Sequence, residues 1–264
     1  MDDLLFCKRD HNYLIILTNK YNIHWKLYFR KISKEVMRMN NYDNTARYVS
    51  RMDFLSSVFA YLGIGLGLSA AGAVGGYYLL PALGGAYGFV MLMLIGVELV
   101  LAFVLGRGID TRSTSSVRGM FIAYSFINGL TLSVVLAVYT TASVVMAFIT
   151  TSVVFVSLAI IGKTTKLDLS RFGTFLFTGL IICIIVSLIN LFFFRASGID
   201  LALCYIETLL FMGLIAYDMQ MIDRYYSQSE NENYAIYAAL QLELDFINLL
   251  LRVLRLFGVR RNDD

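Results

Sequence analysis

Charge is scarce in this chain: 16% of its 264 residues are Asp, Glu, Lys or Arg, 58% are hydrophobic, and the mean hydropathy is +0.68. A soluble domain of this size needs more polar surface, so the balance excludes an ordinary globule and fits a polytopic membrane protein. Cysteine is equally sparse. Cys7, Cys183 and Cys204 stand far apart, which excludes a disulfide framework and any metal spacing built on cysteine. No module pairs a folded basic face with aromatic stacking groups, so nucleic acid is not an expected partner. The first 38 residues carry neither a long apolar run nor a small-residue cleavage site, and a secretory signal is excluded with them.

What the chain has instead is apolar runs of membrane-spanning length. Crossing about 30 Å of hydrocarbon takes about 20 mainly apolar residues in a helix, and seven runs qualify: Phe54 to Leu80, Ala86 to Leu105, Gly119 to Tyr139, Thr141 to Gly162, Gly173 to Phe194, Leu201 to Ile222, and Ala235 to Phe257. Short connectors such as PALGG and KTTKLDLSR make consecutive helices antiparallel neighbours. The expectation is an all-α integral membrane protein, a seven-transmembrane-helix bundle over residues 52–264 behind a basic tail of residues 1–51. That tail could be an amphipathic arm on the membrane surface. Alternatively translation starts at Met37, Met39 or Met52, and residues 1–38 have no role.

Lys and Arg favour the cytoplasmic side in short loops. The tail holds ten of them, the second loop holds Arg107, Arg112 and Arg118, and the fourth holds Lys163, Lys166 and Arg171, whereas loops of opposite parity hold only Arg195. The N-terminus is therefore expected inside, in a bacterial cytoplasmic membrane. Seven spans send the C-terminus outside, yet Arg252, Arg255, Arg260 and Arg261 oppose a simple exit. Either the last helix is surrounded by protein or it re-enters the cytoplasmic side.

In the first span, Gly63 with Gly67 and Gly72 with Gly76 stand four apart, a spacing that lets backbones of neighbouring helices approach. GIGLG at 63–67 is not a phosphate loop, since no strand precedes it and it lies within hydrocarbon. Asn128, Thr131 and Asn190 are expected to bond between helices. Five acids lie within spans: Glu98, Glu207, Asp218, Glu243 and Asp245. Each charge at the bilayer centre costs roughly 2.5 to 3.5 kcal/mol on insertion scales, so they need partners, water or protons.

Glu207 and Asp218 are close to three full turns apart and share one stripe, separated by roughly 16 Å along the axis. Gln241, Asp245, Asn248, Arg252 and Arg255 form a polar line on the seventh span, and Glu243 falls off it. A helix with such a stripe belongs inside a bundle. Arg107 and Asp218 lie at the same depth, which makes Arg107 a candidate latch on Asp218. Arg252 or Arg255 could alternatively neutralise Asp245. Two carboxylates in a dry site resist being ionised together and share a proton, and carboxylate oxygens suit calcium.

AYDMQ at 216–220, followed by LELDFINLLLRVLRLFG at 242–258, resembles the closing helices of the Bax inhibitor-1 (transmembrane BAX inhibitor motif) family. The resemblance implies a seven-helix fold with the last helix central and a pH-sensitive calcium leak. It also implies a sensor made by Asp218 and Asp245, which would meet calcium as the transported ion. Glu98 and Arg107 would be the family's acid and base on the second span. Glu98, Glu207, Gln241, Asn248 and Arg252 then form a secondary polar path. Met219 and Glu243 depart from the common pattern. The expected partners are lipid, calcium and protons; no other cofactor is expected.

Two rival functions remain. The chain could be a scaffold regulating another membrane protein, such as a quality-control protease. It could be an intramembrane aspartyl protease, since Tyr217 and Asp218 supply half of that motif. The second half fails, because Leu242, Glu243 and Leu244 replace Gly-x-Gly before Asp245, and the only Pro-Ala-Leu, at Pro81, precedes both acids. The chain is therefore expected not to be an enzyme.

Overall fold

The computed structural model describes residue 34, residues 50–228 and residues 232–261. The basic tail, with Met37 and Met39, lies almost wholly outside them. Asp53–Asp264 forms one compact unit. Its helices are α1 (Ser50–Leu79), α2 (Tyr87–Gly106), α3 (Thr114–Val138), α4 (Thr141–Thr164), α5 (Ser170–Ile189), α6 (Ser197–Gln228) and α7 (Glu232–Phe257). All seven are long and apolar enough to cross a membrane, and the protein is a multi-pass all-α bundle. The end where α1 begins is called proximal below, and the end where α7 finishes distal.

Local chemistry sets the boundaries. Pro81 opens a 3-10 turn over Leu80–Ala86, and Gly84 takes φ 53°, the left-handed conformation that glycine adopts without a Cβ penalty, to turn the chain into α2. Ser113 and Thr140 have extended backbones and accept from the amides of Ser116 and Ser143, capping α3 and α4. Helices α3 and α6 outrun their apolar runs, to Thr114 and Gln228. Their polar ends continue the backbone hydrogen bonding, although hydrocarbon no longer requires it. Asn190, expected to bond between helices, does so at the α5–α6 connection: its side-chain amide donates to Ala196 O at 3.2 Å and to Asp200 Oδ1 of α6 at 2.8 Å.

The least apolar helix is the most enclosed. Helix α7 has mean hydropathy 1.3 in its best window and is 61% buried there, against 11% for α2 and α5 at 2.6. It packs on α2, α3, α4 and α6 and bonds to α1 through Glu243. Polar groups on a spanning helix are tolerated where protein, not lipid, faces them, so its composition dictates its central place.

Small residues permit the close approaches. A Cβ on Gly129 of α3 would lie 2.3 Å from Ser69 O of α1, and one on Gly72 would lie 2.5 Å from Phe126 O. Gly76 meets Ser133 in the same seam. Gly63 and Gly67 have open space instead. Of the two glycine pairs, only the distal one lies at an interface, because nine residues from Gly63 to Gly72 make two and a half turns and set the pairs on opposite faces of α1.

Candidate functional site

Helices α6 and α7 run antiparallel side by side, so acids spaced by whole turns on each can meet. Asp218 and Asp245 are both about 95% buried, and their carboxyl groups face one another at hydrogen-bonding range. Asp218 Oδ1 and Asp245 Oδ2 are buried without a hydrogen-bond donor. On their proximal side stand Tyr225 and Tyr237, with ring centroids 5.6 Å apart in a T-shaped contact.

A cavity of about 360 Å³ leads away from the pair. Its polar lining is Glu207 and Asp218 from α6 and Gln241, Asp245, Asn248 and Arg252 from α7, so both expected stripes face one space except for Arg255, which lies outside the lining. Toward the distal end, Arg252 Nη1 binds Glu207 Oε2 at 2.9 Å. Arg255 binds Asp200 at 3.3 Å. Neither arginine pairs with Asp245, which leaves the two aspartates to each other.

The other expected residues go elsewhere. Arg107 is exposed, with its guanidinium 4.4 Å from the Phe103 ring centroid, and forms no ion pair with Asp218. Equal depth did not confer equal direction around the bundle. Glu98 does not line the cavity; it accepts from Asn128 Nδ2 at 2.6 Å and Thr131 Oγ1 at 3.1 Å on α3. No group of three or more His, Cys, Asp or Glu able to hold a metal occurs among the described residues.

Sequence reasoning left Glu243 unplaced. It is fully buried, and its carboxylate accepts from Ser69 Oγ and Ser125 Oγ, each at 2.9 Å, above Gly65. Two residues along a helix turn a side chain by about 200°, so Glu243 points away from Asp245 and toward α1 and α3. The signal was present: an acid opposite the polar stripe of a central helix must find donors on other helices, and Ser69 and Ser125 supply them.

At the proximal end, charged groups hold the connections together. Arg118 binds Glu232 at 2.8 Å and donates to the Tyr61 hydroxyl, which itself donates to Glu232. Lys163 binds Asp223 at 2.8 Å. Asn233 donates to Ile109 O and Arg112 O, tying the start of α7 to the α2–α3 connection.

The family described as "Inhibitor of apoptosis-promoting Bax1" matches residues 51–262. The inner membrane protein YbhL of Escherichia coli K12 is 38% identical over 174 residues, 64% of this chain and 74% of its own. An uncharacterised protein of Borreliella burgdorferi is 34% identical over 80% of this chain and 93% of its own. An uncharacterised membrane protein of Streptococcus pyogenes serotype M6 is 36% identical over the same shares.

Proposed function

This chain belongs to the Bax inhibitor-1 family, and from that premise we propose that it is a calcium-preferring cation leak whose opening follows the protonation of Asp218 and Asp245. The observation that carries the reading is the contact between two buried carboxyl groups at the proximal end of an acid-lined cavity. Such a contact favours a shared proton, because two adjacent anions in a dry site repel. Loss of that proton pushes α6 and α7 apart at this level unless a cation takes its place. The unpartnered oxygens Asp218 Oδ1 and Asp245 Oδ2 are hard donors suited to calcium as cargo. Glu207 and Arg252 then stand at the distal approach, with Gln241 and Asn248 along the wall.

The same reading puts the protein in a bacterial inner membrane, like YbhL, with its N-terminus in the cytoplasm. The excess of Lys and Arg on proximal loops supports that orientation. It assigns no catalysis and no resident cofactor.

The test is calcium flux into liposomes holding the purified chain, across pH, with Asp218→Asn and Asp245→Asn alongside. Flux should rise as pH rises in the native chain and lose that dependence in both variants. Native flux and pH dependence unchanged in both variants would refute the sensor. A native chain that conducts nothing but retains a membrane-protein partner on purification would favour the scaffold, and cleavage of a reporter helix abolished by either variant would favour the protease.

A further inference from the structure

A second cavity lies on the opposite side of α7 from the aspartates. It is an open groove of about 190 Å³ among α1, α3, α4 and α7, bounded by Ala70, Val74, Leu136, Val144, Phe148 and Leu251. Ser69 supplies its only polar side chain, and that hydroxyl is spent on Ser125 O and Glu243. Water gains nothing in such a space, because a water molecule needs two or more polar partners. Val74 and Phe148 are about half exposed, so the groove reaches the lipid-facing surface. An acyl chain is the chemistry that surrounds it there.

The distal rim of the groove is basic. After α7 the chain turns at Gly258 and crosses the distal ends of the same helices. Thr140 donates to Val259 O at 3.1 Å, Val259 donates to Ser143 Oγ at 2.9 Å, and Arg260 pairs with Tyr139 across an antiparallel bridge. Arg261 donates to the Tyr77 hydroxyl at 2.8 Å, with its guanidinium 5.5 Å from that ring's centroid. Tyr77, Tyr139 and Ser143 each stand within one helical turn, about 5 Å of axial rise, of the groove residues Val74, Leu136 and Val144. Arg260 and Arg261 are exposed and meet no carboxylate among the described residues, unlike Arg252 and Arg255.

We propose that this groove and its rim bind an anionic glycerophospholipid, with one acyl chain along α1 and α4 and the headgroup phosphate on Arg260 and Arg261. Arginine is suited to the second task, since its planar fork meets phosphate oxygens in pairs. The order of the rim follows from the same contacts: bonds to α1, α3 and α4 fix the post-helical segment, and phosphate completes the two guanidinium groups. The site needs neither aspartate, so it stands apart from the leak.

The test is native mass spectrometry of the purified full chain titrated with phosphatidylglycerol or with phosphatidylethanolamine of the same acyl chains. Alongside it run the double variant Arg260→Gln, Arg261→Gln and the groove-filling Ala70→Phe. Native protein should prefer phosphatidylglycerol on the order of tenfold, given about one kcal/mol for each basic residue near anionic lipid. The double variant should lose that preference, and Ala70→Phe should weaken both lipids. Equal binding of the two lipids by native protein, or a preference that survives in the double variant, overturns the proposal. The arginines are exposed and lie beyond α7, so the double variant tests it even if Ala70→Phe fails to fold.

Discussion

Removing one partner of the Glu207–Arg252 pair should destabilise the bundle far more than removing both. The side chains are 7% and 23% exposed and 2.9 Å apart, and Arg252 Nε already lacks a partner. Glu207→Gln therefore leaves the Arg252 guanidinium without its ion-pair partner in a largely buried site, Arg255 having taken Asp200. Breaking a buried pair from one side costs about 3 to 5 kcal/mol, whereas replacing both members by apolar residues of similar volume is close to neutral. We place Glu207→Gln and Arg252→Met each at about 3 kcal/mol, the lower end, because Arg252 retains some exposure. For a chain of this size that is a fall of roughly 6 to 12 °C in Tm. The double variant Glu207→Leu, Arg252→Met should return to within about 1 kcal/mol of native. Thermal denaturation of the native chain, Glu207→Leu, Arg252→Met and the double variant in one detergent closes the cycle, with Glu207→Gln as a fifth protein. A double variant that loses the sum of the two single losses would refute the reasoning, because it would mean that the charges do not compensate each other.

The α1–α3 seam is tested by Gly129→Ala, whose Cβ would fall 2.3 Å from Ser69 O; it should cost about 1 to 3 kcal/mol in a thermal melt. Gly63→Ala, with nothing within 4 Å, is the matched substitution that should leave Tm unchanged or slightly raised. Glu243→Ala strands the Ser125 hydroxyl and leaves that of Ser69 to Ser125 O, and should cost about 1 to 3 kcal/mol; adding Ser125→Ala to it should recover part of the loss. In the α4–α5 connection, the Ser170 hydroxyl and then its amide hold Asp168 below the ordinary carboxylate range, with Arg224 and Arg171 adding to this. A depressed value stabilises the fold above the unfolded carboxylate's pKa of about 4 and is lost as pH falls through the lower folded value. Hydrogen exchange across residues 164–171 should quicken below that pH in the native chain, and Asp168→Asn should exchange quickly at neutral pH as well.

The span count and the place of α7 were legible because both depend on periodicities that the bilayer enforces. A run either reaches about 20 residues or does not, and a stripe from Gln241 to Arg252 cannot face lipid. The partners of the acids were less legible. Glu98 was expected on the path with Glu207, yet it bonds to Asn128 and Thr131 while its neighbour Leu99 lines the cavity. Sequence spacing fixes angles within one helix but not the rotation of one helix about its axis relative to the next. Arg107 met the same limit: its depth was read from the span, but the contact needed an azimuth, and the side chain lies over Phe103. The distal glycines met α3 and the proximal ones did not, because two and a half turns of α1 between Gly63 and Gly72 set the pairs on opposite faces.

The arrangement of the remaining acids sets the aspartate pair apart. Glu207 has Arg252, Glu98 has two donors on α3, and Glu243 has two hydroxyls from α1 and α3. Each of these acids is met by a donor on another helix. Asp218 and Asp245 have only each other, with one oxygen on each left without a donor. Their contact exists as a hydrogen bond only while a proton is held between them. On the proposed reading, a change in the proton held between them acts on α6–α7 spacing at this level. The cavity begins at that same level, so any separation of the two helices there widens the space that Glu207 and Arg252 approach from the distal side.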